Sequence, residues 1–588
     1  MLIYVPTTGT TTRLHLVLSS LLGKLNGFRT LEEHAASAVD QGWFGGDERL
    51  AKEGLEELEK QGLLFTLEAV LDRLRHSGET PDVRPHITVM AWSTRDRPAL
   101  LGRSVESFVA NARRYGRNPD CIMFDDSRRG ESRTGAMAAL GAAEKKYGIR
   151  AYYASRDTLS GFAAALIELT RAEGVPPDVV DFSLFDPEGC GLTYGAARNA
   201  VQLAAAGSMY MSSDDDMLCA AALPYEGDGG LELASMVDLN EIYFFEDRQS
   251  LLNSIKTSEE DVIGRHESLL GRSVAACLEG VAGQVYLERA DQEFLEIITS
   301  GPACVAATAA GTFGDSGMGS PRTVFTLREE ARERLVESET RYRSAFVSRE
   351  ILQVLRRPTI TSGPFFPGMN IGLDNRTVLP PFFPVLRGED FIFAHTLRSC
   401  VPRGLIGFPA VAVAHDPGDV RSFLPGEAFN IALNMSEILF LAIQSRQRIQ
   451  GSSSENRQMQ AAGAYLEELG ELDPVDFENH LRNIWLASIS FKIGYLEQSL
   501  AFYHEHPRFW ADDIKKYIHS LEHFALHGQV TVPRDLLPGR TPEEARALGQ
   551  KLIGRFGELL RWWPVIWNAA RRMNEEGRGL ARPLGEIV

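Results

Sequence analysis

Between residues 86 and 216, short apolar runs alternate with longer segments whose apolar residues recur at helical spacing. The apolar runs predict strands, and the longer segments predict amphipathic helices. Strands are expected at 87–92, 121–124, 150–154 and 208–213, and helices at 98–114, 134–147 and from about 191 onward. This alternation is typical of βαβ units, so it predicts an α/β domain with a doubly wound, mostly parallel sheet.

The N-terminal part of the chain follows a different pattern. Residues 1–80 predict a small, mainly helical unit, in which an amphipathic helix at 55–60 precedes Gly62 and an extended apolar end at 63–65. The pattern fits a plain helical cap on the next domain, which we favour, and it also resembles the end of a winged-helix unit. Residues 77–82 predict a linker.

Beyond residue 425 the pattern is helical throughout, with long segments at 428–450 and 543–572. We therefore expect a sheet-containing domain at 84–424 and a helical C-terminal domain at 425–588, whose helices offer a surface for a homo-oligomer. The aromatic cluster in this region favours core or interface packing over a sugar-binding platform; it consists of Trp562, Trp563 and Trp567.

Residues 230–345 are harder to interpret and are predicted to form a large insertion in the 84–424 domain. They include the glycine-rich stretch 311–319, which lacks both the Lys-Ser/Thr ending of a P-loop and the GxGxxG spacing. An ordinary flexible loop is therefore favoured there over a phosphate cradle.

Composition narrows the classes of function. The 588 residues carry a net charge of −18, which argues against a general nucleic-acid-binding or anionic-membrane surface but allows a local basic pocket. The six cysteines are scattered without a CxxC pair, which favours free thiols in a reducing compartment. The start of the chain does not resemble a signal peptide, and no apolar run is long enough for a transmembrane segment, so we expect a cytoplasmic enzyme.

Three consecutive aspartates end the predicted strand at 208–213: Asp214, Asp215 and Asp216. Like charges this close raise one another's pKa, so the cluster is costly unless a cation balances it. Carboxylate oxygens are preferred ligands of Mg²⁺ and Mn²⁺. The triplet therefore suggests a divalent-metal site, and the alternative is an acidic loop that follows a strand.

Other polar residues follow the neighbouring strands. Ligands of a doubly wound sheet bind beyond the carboxyl ends of its strands, which is where Thr94, Asp96 and Asp126 are expected. Arg198 lies in the predicted helix before the aspartate triplet. Taken singly, Asp126 could be a turn or N-cap residue, and Arg198 could form a surface salt bridge.

In chain order these residues resemble the nucleotide-binding half of GT-A glycosyltransferases, closest to the inverting family 2. The resemblance covers residues 86–220 closely, and loosely extends to about residue 420. It rests on four motifs, which are Thr94-Arg95-Asp96-Arg97, Asp125-Asp126-Ser127, Tyr194-Gly195-Ala196-Ala197-Arg198-Asn199 and Asp214-Asp215-Asp216.

The resemblance implies a Rossmann-like GT-A domain that binds a UDP- or GDP-sugar. Asp126 would hold the base or ribose, Thr94 would line the same pocket together with Asp96 and Asp215, and Arg198 would lie near the diphosphate. The metal ligands would be Asp214 and Asp216, holding Mn²⁺ or Mg²⁺ against the leaving diphosphate.

The same resemblance assigns residues to the acceptor half. Asp390, next to Glu389, would deprotonate the acceptor hydroxyl, and its alternative role is a helix N-cap. His415 follows an apolar strand at 410–414, where it would either bind the metal or be structural. The long spacing from Asp126 to Asp214 implies an inserted loop at about 150–190. No QxxRW motif follows Asp390, which favours a non-processive enzyme.

Three other functions stay open on sequence grounds. The first is a retaining GT-A transferase, and the second is a sugar-phosphate nucleotidyltransferase, whose glycine loop is faintly echoed by residues 8–13 but without the paired glycines. The third is a catalytically inactive nucleotide-sugar-binding protein. The acceptor could be a saccharide, a peptide or a small molecule.

Overall fold

The computed structural model describes residues 1–5, 10–22, 25, 28–76, 85–225, 227–236, 241–281, 283–446 and 455–587. Three expectations fall wholly or partly outside these residues. They concern the linker at 77–82, the end of the helix predicted at 428–450, and Thr8 and Gly9 of the segment that echoes a nucleotidyltransferase loop.

The N-terminal unit combines a β-hairpin with helices. Strands β1 (Leu2–Val5) and β2 (Thr10–Arg13) pair antiparallel, and they precede helices α1 (Leu16–Leu22), α2 (Leu31–Asp40), α3 (Glu48–Lys60) and α4 (Leu67–His76). Helices α1–α3 enclose a small core of their own, whereas α4 packs against a later part of the chain. The expected extended end at 63–65 is wrong: these residues form no strand, and Leu63 and Leu64 fold back onto the small core.

Two sheets make up the centre of the described chain. Their strands are β3 (Val89–Thr94), β4 (Asp120–Asp125), β5 (Ala151–Ser155), β6 (Met209–Asp214), β7 (Met217–Ala222), β8 (Leu231–Ala234), β9 (Ile242–Phe244), β10 (Thr257–Ser258), β11 (Val285–Tyr286), β12 (Cys304–Ala309), β13 (Gly311–Asp315), β14 (Glu350–Gln353), β15 (Thr359–Thr361), β16 (Asn370–Asp374), β17 (Gly404–Phe408), β18 (Ala412–His415) and β19 (Arg582–Pro583). The large sheet has the order β11-β8-β15-β17-β12-β16-β6-β3-β4-β5-β19, and the small sheet has the order β10-β7-β18-β13-β14-β9. Parallel pairs predominate in the large sheet, as predicted.

The remaining helices of the described residues lie around the two sheets. They are α5 (Pro98–Arg114), α6 (Gly130–Tyr147), α7 (Arg156–Thr170), α8 (Pro177–Leu184), α9 (Tyr194–Ala204), α10 (Arg248–Ser254), α11 (Val262–Glu267), α12 (Val274–Glu279), α13 (Gln292–Thr299), α14 (Glu329–Val336), α15 (Glu339–Ser344), α16 (Glu389–Cys400), α17 (Met435–Ser445), α18 (Glu455–Glu471), α19 (Pro474–Phe502), α20 (Arg508–His527) and α21 (Pro542–Glu575). Side chains alternate along β3, so that Met90 and Trp92 face α5 and α6 while Val89 and Ala91 face α7–α9. The predicted α/β class, with a helical C-terminal region, is confirmed. No helix among the described residues is long and apolar enough to cross a membrane.

The chain passes from the large sheet into the small sheet at three places. Strand β6 continues into β7 through Asp215 and Asp216, β12 continues into β13 through Ala310, and β17 continues into β18 through residues 409–411. Strands β6, β12 and β17 run in the same direction, so the three crossings lie at the carboxyl edge of the large sheet. We refer to this edge as the crossing edge.

Several predicted boundaries change in the structure. Residues 311–315 of the glycine-rich stretch form strand β13 inside the small sheet, so the flexible loop expected there is wrong. The loop expected at 150–190 is instead largely helical, since it contains α7 and α8. The segment 230–345 supplies strands to both sheets. Of the helix predicted at 428–450, the described residues show only α17 and a preceding short 3₁₀ turn.

The C-terminal helices share a core with the large sheet. Trp563 and Trp567 are buried, and their indole N–H groups donate to the Leu379 carbonyl and the Asn375 side chain at 2.8 and 2.9 Å. These two tryptophans are therefore core residues, as the sequence favoured. The chain then returns to the edge of the sheet, where β19 pairs with β5.

Gly195 fixes the position of helix α9 against the segment that leads to α16. A Cβ atom at this position would lie 1.8 Å from the Phe383 carbonyl oxygen. The adjacent Ala196 N–H donates to the Pro384 carbonyl at 2.8 Å. Only glycine allows the two backbones to approach this closely.

We predict that Gly195→Ala lowers the free energy of unfolding by about 3 kcal/mol, the upper end for overpacking a core. The matched control is Gly161→Ala in α7, where a Cβ meets nothing within 4 Å. This control should stabilise by up to about 1 kcal/mol, because alanine is the better helix former. Urea unfolding measures both, and equal effects of the two substitutions would contradict the prediction.

Candidate functional site

The polar residues predicted from the sequence gather at the crossing edge. Strand β3 lies between β4 and β6, so the chain winds away from β3 in both directions and leaves a switch point there. Thr94 ends β3, Asp126 follows β4, and Asp214 ends β6. The geometry of the sheet therefore places these three residues on neighbouring strand ends.

Two carboxylates of the triplet share one arginine. The guanidinium of Arg97 lies 2.5 Å from Asp215 Oδ1, in an ion pair without hydrogen-bond alignment, and donates to Asp216 Oδ2 at 2.8 Å. Thr94 donates its hydroxyl to Asp215 Oδ2 at 2.7 Å. Burial raises the pKa of Asp215 to about 7, although Arg97 and Thr94 favour its charged form. Asp215 therefore lies inside the turn and is a poor candidate for direct contact with a ligand.

Asp216 and His415 form a second pair. Asp216 lies between β6 and β7, and His415 ends β18. Strands β7 and β18 pair antiparallel, which sets His415 Nε2 at 3.4 Å from Asp216 Oδ1. His415 Nδ1 lies 2.6 Å from the Asp315 carbonyl oxygen, which can only accept, so Nδ1 carries a proton. Burial opposes the charged form of both side chains, yet their mutual attraction lowers the pKa of Asp216, with help from Arg97, and raises that of His415, with help from Asp315.

This pair fits a divalent cation. Metal-binding histidines usually donate their other ring N–H to a carbonyl or carboxylate, as His415 does. A cation would take the place of the proton between Nε2 and Asp216. Among the described residues no group of three or more His, Cys, Asp or Glu side chains is spaced as a complete metal cage. Mg²⁺ commonly takes one or two protein ligands and completes its shell with phosphate oxygens and water.

Asp214, the third member of the triplet, faces Arg198 instead. Arg198 Nη2 donates to Asp214 Oδ1 and Arg198 Nε donates to Glu389 Oε1, both at 3.0 Å. Arg198 is only 8% exposed, so its guanidinium and its contact with Glu389 are shielded from water, whereas Asp214 is partly exposed. This ion bridge joins the end of β6 to the start of α16. Arg198 and Glu389 are 191 residues apart in the sequence. Nη1 makes no hydrogen bond to a described residue and is the part of Arg198 that could reach a phosphate.

Asp390 lies in the first turn of α16, whose N-cap is Gly388. The N-cap role that the sequence allowed for Asp390 is therefore wrong. Asp390 Oδ2 accepts from the Gly368 N–H at 2.9 Å, and Oδ1 accepts from the Phe391 N–H at 2.8 Å. A Cβ on Gly368 would lie 3.0 Å from Asp390 Oδ2 and 3.1 Å from Arg198 Nη2. Asp390, Glu389 and Arg198 consequently surround one point of the crossing edge.

Asp126 and Asp96 have different surroundings. Asp126 accepts from the Thr193 hydroxyl at 2.7 Å and lies 3.2 Å from Arg156 and 3.8 Å from Arg95, so two cations are its neighbours. Asp96 has a positive φ of 57° and binds the backbone N–H groups of residues 128 and 129. Asp126 is therefore placed to meet a ligand, whereas Asp96 holds the loop that starts α6.

Sequence reasoning missed three residues behind His415. Asp315, which ends β13, is 1% exposed and accepts from Arg349 Nε and from Arg421 Nε at 3.1 and 2.8 Å. Asp315 belongs to the stretch predicted as a flexible loop, and the two arginines belong to no motif. Only the pairing of β13 with β14 and β18 brings them together.

A buried chain of hydrogen bonds supports the triplet from below. His266 is fully buried, with Nδ1 2.8 Å from the Thr308 hydroxyl and Nε2 2.9 Å from Asn370 Oδ1. Asn370 Nδ2 donates to Ser213 Oγ at 2.5 Å, and Ser213 directly precedes the triplet. Burial lowers the pKa of His266 to about 4, so the imidazole is neutral at physiological pH.

No protein-family model matches the chain, and no curated protein matches it.

We predict that Arg198→Gln lowers the free energy of unfolding by about 3–5 kcal/mol, because it leaves the buried Glu389 and the partly exposed Asp214 without their cation. Burial, followed by the charge of Asp390, already raises the pKa of Glu389, and loss of Arg198 raises it further. Carboxylates with raised folded-state pKa values bind extra protons, so the loss should shrink as the pH falls.

Chemical unfolding at neutral and acidic pH measures this difference. The matched control is Arg571→Gln, in the half-exposed i,i+4 pair with Glu575, which should change stability by less than about 1 kcal/mol. If Arg198→Gln lowers the free energy of unfolding by the same amount at both pH values, the assigned bridge is contradicted.

We predict that His266 makes the fold sensitive to acid. Its pKa falls from about 6.5 in the unfolded chain to about 4 in the folded protein. The stability linked to this shift is present above about pH 6.5 and is lost as the pH falls toward 4, by up to about 3 kcal/mol. The stability advantage of the natural protein over His266→Gln should therefore shrink across this window in urea unfolding. His519→Gln, at an exposed position, should show no such trend.

Proposed function

We propose that the protein is a metal-dependent GT-A glycosyltransferase that moves a sugar from a UDP- or GDP-sugar to an acceptor hydroxyl, with inversion and without processivity. One observation carries the proposal: Asp216 and His415, a metal-competent pair, lie on the same sheet edge as Asp390, with Arg198 between Asp214 and Glu389. The motifs in the sequence and the mostly parallel sheet support the same assignment.

The donor would lie across the switch point. Asp126, with Arg95 and Arg156 beside it, would bind the nucleoside. Thr193 would hold the Asp126 carboxylate in place. Asp216 and His415 would hold Mn²⁺ or Mg²⁺, which supplies positive charge to the leaving diphosphate. Arg97 already pairs with Asp216, so it would share that carboxylate with the cation or turn its half-exposed guanidinium toward the phosphates.

Asp390 would act on the acceptor. Its carboxylate takes the proton of the acceptor hydroxyl while the acceptor oxygen forms a bond to C1 of the sugar. The bond from C1 to the phosphate oxygen breaks, and the nucleoside diphosphate leaves with the electron pair. Glu389 is bound to Arg198 and would orient this end of α16, so that a single carboxylate remains as the base, as inversion requires.

We predict that Asp390→Asn keeps donor binding and lowers transfer by about 10²–10⁴-fold, the usual contribution of a general base. His415→Ala should instead remove the Mn²⁺-dependent part of donor binding. A thermal-shift screen of UDP- and GDP-sugars with and without Mn²⁺ measures binding, because a ligand of the native state raises its stability.

Asp512→Asn, at an exposed position on α20, is the matched control and should behave as the natural protein. The proposal fails if no UDP- or GDP-sugar binds, or if Asp390→Asn transfers sugar as fast as the natural protein. The anomeric configuration of the product, read by NMR, separates inversion from retention.

A further inference from the structure

An open cavity of about 200 Å³ lies at the end of the small sheet that is farther from His415. At the His415 end, Glu350 of β14 pairs with Asp315 of β13. Val354, which lines the cavity, lies just past the other end of β14. Four residues of extended chain separate Glu350 from Val354, a distance of about 13 Å. The cavity is therefore separate from the metal-competent pair at the crossing edge.

Two tyrosine rings form one wall of this cavity. Tyr225 follows β7 and Tyr243 lies in β9, and their ring centroids are 4.9 Å apart with the ring planes at 73°. The guanidinium of Arg334 lies over the ring of Tyr243, 4.0 Å from its centroid. Tyr225 is 49% exposed, and among the described residues no cation and no second ring stacks on it. Tyr225 therefore offers a free ring face to a ligand.

The charges around the cavity balance one another. Arg356 Nη2 donates to Glu330 Oε2 at 2.5 Å, and Arg356 Nε lies 3.4 Å from Glu241 Oε1. Arg334 Nη1 lies 3.0 Å from Glu330 Oε1. Two carboxylates thus face two guanidiniums, so an anion or a cation would gain little Coulomb energy here relative to a neutral ligand. The same groups can still exchange strong hydrogen bonds with hydroxyl groups, because one partner of each bond is charged.

A sugar ring matches both the aromatic wall and the balanced charges. It has C–H groups on its faces, which can pack on the free face of Tyr225, and hydroxyl groups around its edge. A flat nucleobase would instead need two nearly parallel surfaces, whereas the two tyrosine rings meet at 73°. The volume lies below the roughly 300–1,000 Å³ of sites for drug-sized ligands, which suits a single ring.

We propose that this cavity binds one ring of a neutral saccharide, at a site distinct from the crossing edge. Tyr225 would supply the stacking surface, and Glu330 and Arg356 would bind hydroxyl groups of the sugar. The proposal does not depend on the proposed transferase function.

Saturation-transfer NMR on the full chain tests the site with the methyl glycosides of glucose, galactose, mannose and N-acetylglucosamine. At least one glycoside should receive saturation on its ring C–H protons and bind in a titration. Glycerol, which has hydroxyl groups but no ring, should receive none. Binding should be the same in Mn²⁺ and in EDTA, and the same in His415→Ala, because the metal-competent pair is not part of the cavity.

Variants of the lining then assign the site. Tyr225→Ala should weaken the glycoside by about 10-fold, whereas Tyr225→Phe, which keeps the ring, should retain most of the affinity. Glu330→Gln should also weaken it by about 10-fold, because a charge-assisted hydrogen bond becomes a neutral one. Glu330 is more than half exposed, so this variant carries the test if Tyr225→Ala does not fold. Phe491→Ala, which removes an exposed ring from α19, is the matched control and should bind as the natural protein does.

The absence of saturation transfer to every glycoside, or unchanged affinity in both Tyr225→Ala and Glu330→Gln, would overturn the site. Adenosine that binds more tightly than every glycoside, and is weakened in Tyr225→Ala, would make the cavity a nucleobase site instead. Glycoside binding that requires Mn²⁺, or that is lost in His415→Ala, would move the sugar to the crossing edge and also overturn the proposal. If glycosides bind as expected but no nucleotide sugar does, the saccharide site stands and the proposed transferase function fails.

Discussion

The arrangement of the crossing edge depends on a buried cation between two carboxylates. Arg198 reaches Asp214 at the end of β6 and Glu389 at the start of α16, and the buried Glu389 could not lie there without a cation at moderate cost. The bridge needs α9 in one position. Asn199, the next residue, secures this position by donating to the Ser183 and Phe382 carbonyls and accepting from the Phe382 N–H. The packing that fixes α9 therefore also fixes the position of Arg198 between its two carboxylates.

The adjacent aspartates at the crossing edge lie in different environments. Asp215 is enclosed by the turn, and burial makes it hard to ionise, whereas Asp216 is kept ionised by His415 and Arg97. Neighbouring carboxyl groups with opposite pKa shifts are a common way to divide roles in one site. In this protein the division leaves Asp216 as the member of the triplet best suited to hold a cation, while Asp214 is occupied by Arg198.

The sequence could predict those elements that depend on the local pattern of residues. The β3–α5–β4–α6–β5 segment alternates strongly enough that its elements end within a few residues of the predicted positions, and the motif residues follow its strand ends. The small sheet was not predictable, because its strands are joined by pairings between distant segments: β13 has a glycine-rich, loop-like sequence and is a strand only through β14 and β18. Asp315, Arg349 and Arg421 were missed for the same reason, since each looks ordinary until these strands pair.

The three crossings between the sheets have an evolutionary consequence. They contain two, one and three residues, and they set Asp216, Asp315 and His415 within one hydrogen-bonded group. An inserted residue at any crossing would shift one member of the group relative to the other two. Insertions at the opposite ends of β6, β12 and β17 would leave the group intact. Descendants of this chain should therefore vary in length at the far edge of the sheet, while selection holds the crossings at their present lengths.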